Sequence, residues 1–156
     1  MMRLLPVLLL ALTACAACTT SAPKFVDADP CSLLRSGDVG ELKGTPARSG
    51  QACDFTFDSL TAELTLREAA FADESQKLLA DGGYGGAIAG GEGESNNRPL
   101  TTRCTDSSGV VTCDAVLEVR DRQLVGIQVV QRSTDRNVVG QVMQTLAAKA
   151  FERLPK

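Results

Sequence analysis

The sequence predicts an α+β domain, a mainly antiparallel sheet of about five strands covered by a long C-terminal helix. Three features predict it. Four segments alternate apolar and polar residues with the period of a half-buried strand, around Cys53–Phe57, Ala62–Leu66, Val111–Val119 and Val125–Val129, and a fifth, Leu100–Cys104, is placed as a strand by its hairpin register with Val111–Val119. The last twenty residues instead repeat apolar positions at helical spacing, through Val139, Val142, Met143, Leu146, Ala150 and Leu154. Most strand segments are joined by short turns, which favours antiparallel neighbours over crossover units.

Taken in order, Asp29-Pro30-Cys31-Ser32-Leu33-Leu34 reads as the start of a short helix that ends before Gly37. Asp29 is placed to cap it and Pro30 occupies the first helical position, where its missing N–H costs nothing. A second turn is expected over Asp38–Leu42. Cys53, Phe55 and Phe57 form one strand and Ala62, Leu64 and Leu66 the next, paired as a hairpin around Asp58-Ser59. Asp73-Glu74-Ser75-Gln76 resembles a capping box leading into Leu78 and Leu79, before Asp81-Gly82-Gly83 stops the turn. After Asp121-Arg122, the strand with Val125, Ile127 and Val129 should pair with Val111–Val119. Ser133 or Thr134 is available to cap the final helix, and Lys149 and Arg153 sit near its C-terminal end, where cations suit the dipole.

Six cysteines add constraints. Cys104 and Cys113 flank Thr105-Asp106-Ser107-Ser108-Gly109, a turn signal. With these two opposite each other, Ser108-Gly109 becomes a two-residue turn, Leu100 faces Leu117 and Thr102 faces Ala115. One face then carries Val111, Cys113, Ala115, Leu117 and Val119, so disulfide, turn and apolar face agree on one register. Elimination pairs Cys31 with Cys53 and leaves Cys18 odd. The one Cys-x-x-Cys runs from Cys15 to Cys18, which gives no zinc or redox pattern, and no metal or cofactor is expected.

The N-terminus reads as an export leader. Met1, Met2 and Arg3 precede an apolar stretch, Leu4–Leu12, then Thr13, Ala14 and Cys15. Nine residues of helix cover roughly 14 Å against a hydrocarbon core of about 30 Å, too short for a permanent span. Leu12-Thr13-Ala14-Cys15 resembles the bacterial lipobox, which implies cleavage before Cys15 and acylation of that residue. The rival reading takes Ala14-Cys15-Ala16 as an ordinary secretory site and gives a soluble secreted protein. On the first reading residues 1–14 are a signal peptide, 15–29 a lipidated tether and 30–156 a single α+β domain on the extracytoplasmic face of the cell membrane. Two or more acyl chains hold such a protein without a basic patch.

The Asp29–Leu34 motif, the later Cys53-Asp54-Phe55 and the closing Leu146–Pro155 helix resemble a family of actinobacterial lipoproteins known only as a domain of unknown function. Gly44 and Cys53 fill that family's Gly and second Cys. The chain departs at Gly40, where a helical Ala or Glu is more usual, and at Phe55, where Trp is common. The resemblance implies an envelope location and a small α+β sandwich, and supplies no catalytic residues.

Composition narrows the chemistry. With 156 residues, 16 Lys and Arg against 19 Asp and Glu, and a net charge of −3, the chain has no basic face for nucleic acid. It has no His, which removes Ser-His-Asp and Cys-His nucleophile pairs and His-based zinc sites. Ser21-Ala22-Pro23-Lys24 has the Ser-x-x-Lys spacing of penicillin-interactive serines, but Pro23 prevents the required helical turn and no Lys-Thr-Gly follows. Asp54, Asp58, Glu63 and Glu68 could supply an acid/base pair, with solvated strand-face charges as the ordinary explanation. Gly82–Glu94 holds seven glycines around Tyr84 and Ile88 without a phosphate-binding pattern. It reads as a mobile loop offering Tyr84, Gly85, Gly86 and Ile88 to a ligand. The expected function is therefore non-enzymatic: a membrane-tethered module binding an envelope protein or a small ligand. The alternative is an envelope enzyme using carboxylates.

Overall fold

The computed structural model describes residues 25–90, 97–133 and 135–155. Cys15, Cys18, Thr134 and the end of the glycine-rich stretch, Gly91, Gly93 and Glu94, lie outside them.

Seven strands form one antiparallel sheet, β1 (Ala47–Ser49), β2 (Ala52–Thr56), β3 (Leu60–Arg67), β4 (Tyr84–Ile88), β5 (Arg98–Ser107), β6 (Val110–Arg120) and β7 (Gln123–Arg132). Their spatial order is β1-β2-β3-β7-β6-β5-β4. Two helices, α1 (Phe71–Ala80) and α2 (Arg136–Arg153), lie on opposite faces. The strand count exceeds the expected five because β1 and β4 are edge strands. Neither has an apolar alternation of its own; each is specified by the backbone of the neighbour it pairs with.

The α2 face is the dry one. Across it run Cys53, Leu64, Ile127, Ala115 and Thr102, paired strand to strand and all buried. Val139, Met143, Leu146 and Ala150 of α2 close over this row. Leu33 and Leu34 cover its β2–β3 end, fastened by the Cys31–Cys53 disulfide. The β5–β6 hairpin has the expected register, with Leu100 opposite Leu117 and Cys104 bonded to Cys113 at a Cα–Cα distance of 4.1 Å. Ser108 and Gly109 have φ of 52° and 75°, the left-handed pair that a type I′ hairpin turn requires.

Four local expectations change. Asp29 does cap the first turn, accepting from the Cys31 N–H at 3.1 Å, but Pro30–Ser32 is a single 3-10 turn. The second turn over Asp38–Leu42 is not helical. Gly40 has φ of 140°, a Cβ there would stand 2.2 Å from an Asp58 carboxylate oxygen, and Leu42 bridges to Phe57. Helix α1 begins at Phe71 behind Ala70, which makes no side-chain cap, so Asp73 and Glu74 fall in its first turn and act on the dipole instead. Helix α2 is capped by Asp135, whose carboxylate accepts from the Asn137 N–H at 2.8 Å. Ser133 stands two residues before it, its hydroxyl accepting from the Asp135 N–H.

At its C-terminal end α2 is clasped to the N-terminal segment. Arg153 donates to both oxygens of Asp38 at 2.6 and 2.7 Å and to the Leu33 carbonyl at 2.9 Å. Burial pushes the Asp38 carboxyl up, but the Arg153 guanidinium and the Arg35 N–H together hold it below the usual carboxylate range. No helix among the described residues is long and apolar enough to cross a membrane.

Candidate functional site

The other sheet face is polar over most of its width. Alternation that sends Leu64, Ala115 and Ile127 inward sends Glu63, Asp114 and Gln128 outward, and the ladders align them into one row, Asp54-Glu63-Gln128-Asp114-Arg103. Helix α1 covers the β4–β6 side of this face. It docks through Ser75, whose hydroxyl bonds the Thr101 hydroxyl at 2.6 Å in a buried contact.

Between α1 and β3 this leaves a trough of about 260 Å³. Its charged lining is balanced, with Glu63, Glu74 and Asp114 against Arg67, Lys77 and Arg103. Thr65, Leu78, Val116, Gly126 and Gln128 contribute to its walls and floor. A shallower depression of about 230 Å³, lined by Asp54, Thr56, Thr61 and Val130, shares Glu63 and Gln128 with it.

Two ion-pair groups frame the trough. On the α1 side, Glu74 takes Lys77 at 2.5 Å and Arg67 at 3.3 Å. The Lys77 hydrogen bond, with the Lys77 and Arg67 charges, outweighs partial burial and lowers the Glu74 pKa. At the other end, Arg103 joins Asp114 at 2.6 Å and Asp81 at 2.9 Å, while Gln128 donates to the second Asp114 oxygen at 2.8 Å. The Asp114 hydrogen bond, against some desolvation, raises the Arg103 pKa further above its ordinary value.

Gly126 sets the depth. A Cβ at this position would lie 3.2 Å from three atoms of the Arg67 guanidinium, so the missing side chain is the space in which that guanidinium rests. An isolated glycine inside an apolar strand signals a close approach, and Gly126 between Val125 and Ile127 was the available clue to this site. The polar partners could not be picked out in the same way, because they come from four strands and one helix.

The residues singled out in the sequence fall elsewhere. Glu63 and Asp54 are brought face to face across β2 and β3. Asp58 sits in the turn beside Gly40, and Glu68 follows β3 in an exposed position, so the four carboxylates do not converge. The glycine-rich stretch is not a loop in its first half, because Tyr84–Ile88 is strand β4. Within it Ile88 is buried in the core, and the Tyr84 hydroxyl packs on the α2 side against Gly140, 2.7 Å from where a Cβ would stand. Gly85 faces the opposite side, opposite Thr101. The sequence-predicted ligand residues therefore form an edge strand, apart from the trough. No cluster of metal-ligating side chains occurs among the described residues. Comparisons with family models, with curated proteins and with solved structures give no match.

Proposed function

We propose that the chain is a lipid-anchored, extracytoplasmic binding module that holds a small polar ligand in the trough between α1 and β3. The carrying observation is the trough's balanced lining, three carboxylates against three cations around a glycine-deepened floor. Such a surface favours a compact ligand that is zwitterionic or rich in both donors and acceptors, since either net charge would meet as much repulsion as attraction. The anchor rests on Leu12-Thr13-Ala14-Cys15 behind a short apolar leader, and the envelope location on the resemblance to actinobacterial lipoproteins. Two disulfides, Cys31–Cys53 and Cys104–Cys113, fit an oxidising compartment.

Native mass spectrometry of the full chain released from its host's membranes tests both parts at once. An N-terminus at diacylated Cys15 and a small adduct that is lost in Thr65→Trp, which fills the trough, are expected. An unlipidated N-terminus at Ala17 overturns the anchor. A bare protein, or an adduct unchanged in Thr65→Trp, overturns the trough as the binding site. The juxtaposed Asp54 and Glu63 keep one alternative, carboxylate chemistry, and a turnover abolished by Glu63→Gln would favour it.

A further inference from the structure

The two edges of the sheet are finished differently. β1 is three residues long and carries Arg48, ion-paired with Asp29 at 3.5 Å. β4 is Tyr-Gly-Gly-Ala-Ile, five residues with no charge and no proline, four of them exposed. It lacks the devices by which edge strands ordinarily discourage further pairing.

The direction of the hydrogen-bonding groups that β4 leaves unpaired among the described residues follows from the ladder. A Cα–Cα distance of 4.1 Å marks Cys104 and Cys113 as a non-hydrogen-bonded pair of β5 and β6. Alternation along β5 then turns the N–H and C=O groups of Leu100 and Thr102 toward β4, where they meet Gly86 and Tyr84. Gly85 and Ala87, the residues between, hold theirs out to the side on which no described strand pairs with β4. Pro99, opposite Ala87, has no N–H to give and loses nothing in this arrangement.

Apolar surface flanks that edge on both faces. Leu79 and Tyr84 are two of the three exposed large hydrophobic residues among those described, each 46% accessible. Glu74 and Leu78 face the trough, so Leu79 lies on the other flank of α1, over β4. Tyr84 projects on the α2 side, beside Gly140.

We propose that two copies of this chain pair through β4, antiparallel, about a two-fold axis at Gly86. The strand is complementary to itself in that register. Gly85 and Ala87 exchange four hydrogen bonds with Ala87 and Gly85 of the second copy, whereas centring on Gly85 or on Ala87 leaves two. Tyr84 comes opposite Ile88 of the second copy in a non-hydrogen-bonded pair, where side chains approach most closely. No charge on the strand repels its own image, and Gly85 and Gly86 put no side chain between the approaching layers. The sheet becomes continuous across both copies, an isologous interface that closes on itself and leaves β1 as the outer edge.

Sedimentation of the full chain, together with oxidative cross-linking of Gly86→Cys, tests the pairing. Gly86 has ordinary extended backbone and its Cβ position is 3.8 Å from the nearest atom, so the substitution fits the folded chain. A wild-type dimer, a disulfide-linked dimer of Gly86→Cys, and a dissociation constant raised at least about tenfold in Ala87→Lys are expected. Gly85→Pro, which removes only an outward N–H, should dissociate the dimer and melt where dilute, dissociated wild type melts, without the concentration dependence that a dimer gives the wild-type transition. A monomer across the accessible concentration range overturns the proposal. So does a dimer indifferent to both Ala87→Lys and Gly85→Pro, or a β4 edge that captures an extended segment of another protein while the chain does not self-associate.

Discussion

The two faces of one sheet do opposite work. On the α2 side, Leu64, Val111, Leu117, Val125 and Val129 are fully buried under a helix that meets them with Val139, Met143 and Leu146. On the α1 side, the outward-facing residues of the same strands, Glu63, Asp114 and Gln128, stay in contact with water; Asp114 accepts from Arg103 and Gln128, and Glu63 accepts from the Thr65 hydroxyl. Buried apolar packing is therefore concentrated on one face and charged, water-accessible side chains on the other, with a strand's thickness between them. This separation lets the polar face vary without loss of the fold, and each of the following substitutions probes it from a different depth.

The largest effect belongs to the dry face. Leu117 is at 0% exposure at the centre of β6, opposite Leu100 and Val125. Leu117→Ala should destabilise by about 3–4 kcal/mol in urea unfolding, the transfer loss together with the cavity left behind. A loss below about 1 kcal/mol would mean that the helix collapses into the space and that this face is not close-packed.

An intermediate effect is expected where a charge pair belongs to the dry layer. The Asp38 side chain is 6% exposed and its Arg153 partner 20%, unlike the Arg67–Glu74 pair on the polar face, where Arg67 is 46% exposed. Pairs of the latter kind contribute at most about 1 kcal/mol. Asp38→Asn should cost about 2–3 kcal/mol, because it leaves a sequestered guanidinium with only the Leu33 carbonyl and a weakened neutral partner. Since the Asp38 pKa is lowered in the folded chain, its contribution is complete above the unfolded value, near pH 4, and disappears as pH falls through the lower native value. Wild type should thus lose stability on acidification below about pH 4 more steeply than Asp38→Asn, which has already lost that term. Parallel acid limbs would remove Asp38 from the clasp.

The same contrast explains what could be read from the sequence. The β5–β6 hairpin and the buried stripe of α2 were legible because several local signals coincide there, a glycine turn, a cysteine pair and an apolar period that all select one register. β1 and β4 were not, because Ala47-Arg48-Ser49 and Tyr84-Gly85-Gly86-Ala87 are exposed and carry no period of their own. Glycine content suggested a loop at β4, while the β5 ladder imposed a strand. The trough was illegible for a further reason. Its residues occupy the ordinary polar positions of half-buried strands, and only the order β3-β7-β6-β5, in which the last strand inserts beside the third, brings Glu63, Gln128, Asp114 and Arg103 together.

The smallest expected effect lies at the floor of the polar face. Gly126 has ordinary extended backbone, so alanine is conformationally acceptable there and should gain up to about 1 kcal/mol from reduced freedom of the unfolded chain. Against this, the new methyl would lie 3.2 Å from the Arg67 guanidinium, which must move by a few tenths of an ångström. Arg67 is an exposed, flexible side chain held by one ion pair, so the displacement is cheap and the net change in stability should stay within about 0.5 kcal/mol. The methyl nevertheless raises the floor and shifts a cation that frames the trough. Gly126→Ala should therefore leave the urea midpoint almost unchanged while weakening retention of the small adduct in native mass spectrometry. Unfolding by several kcal/mol would show that the polar face is packed as tightly as its opposite, and undiminished retention would move the ligand away from Arg67.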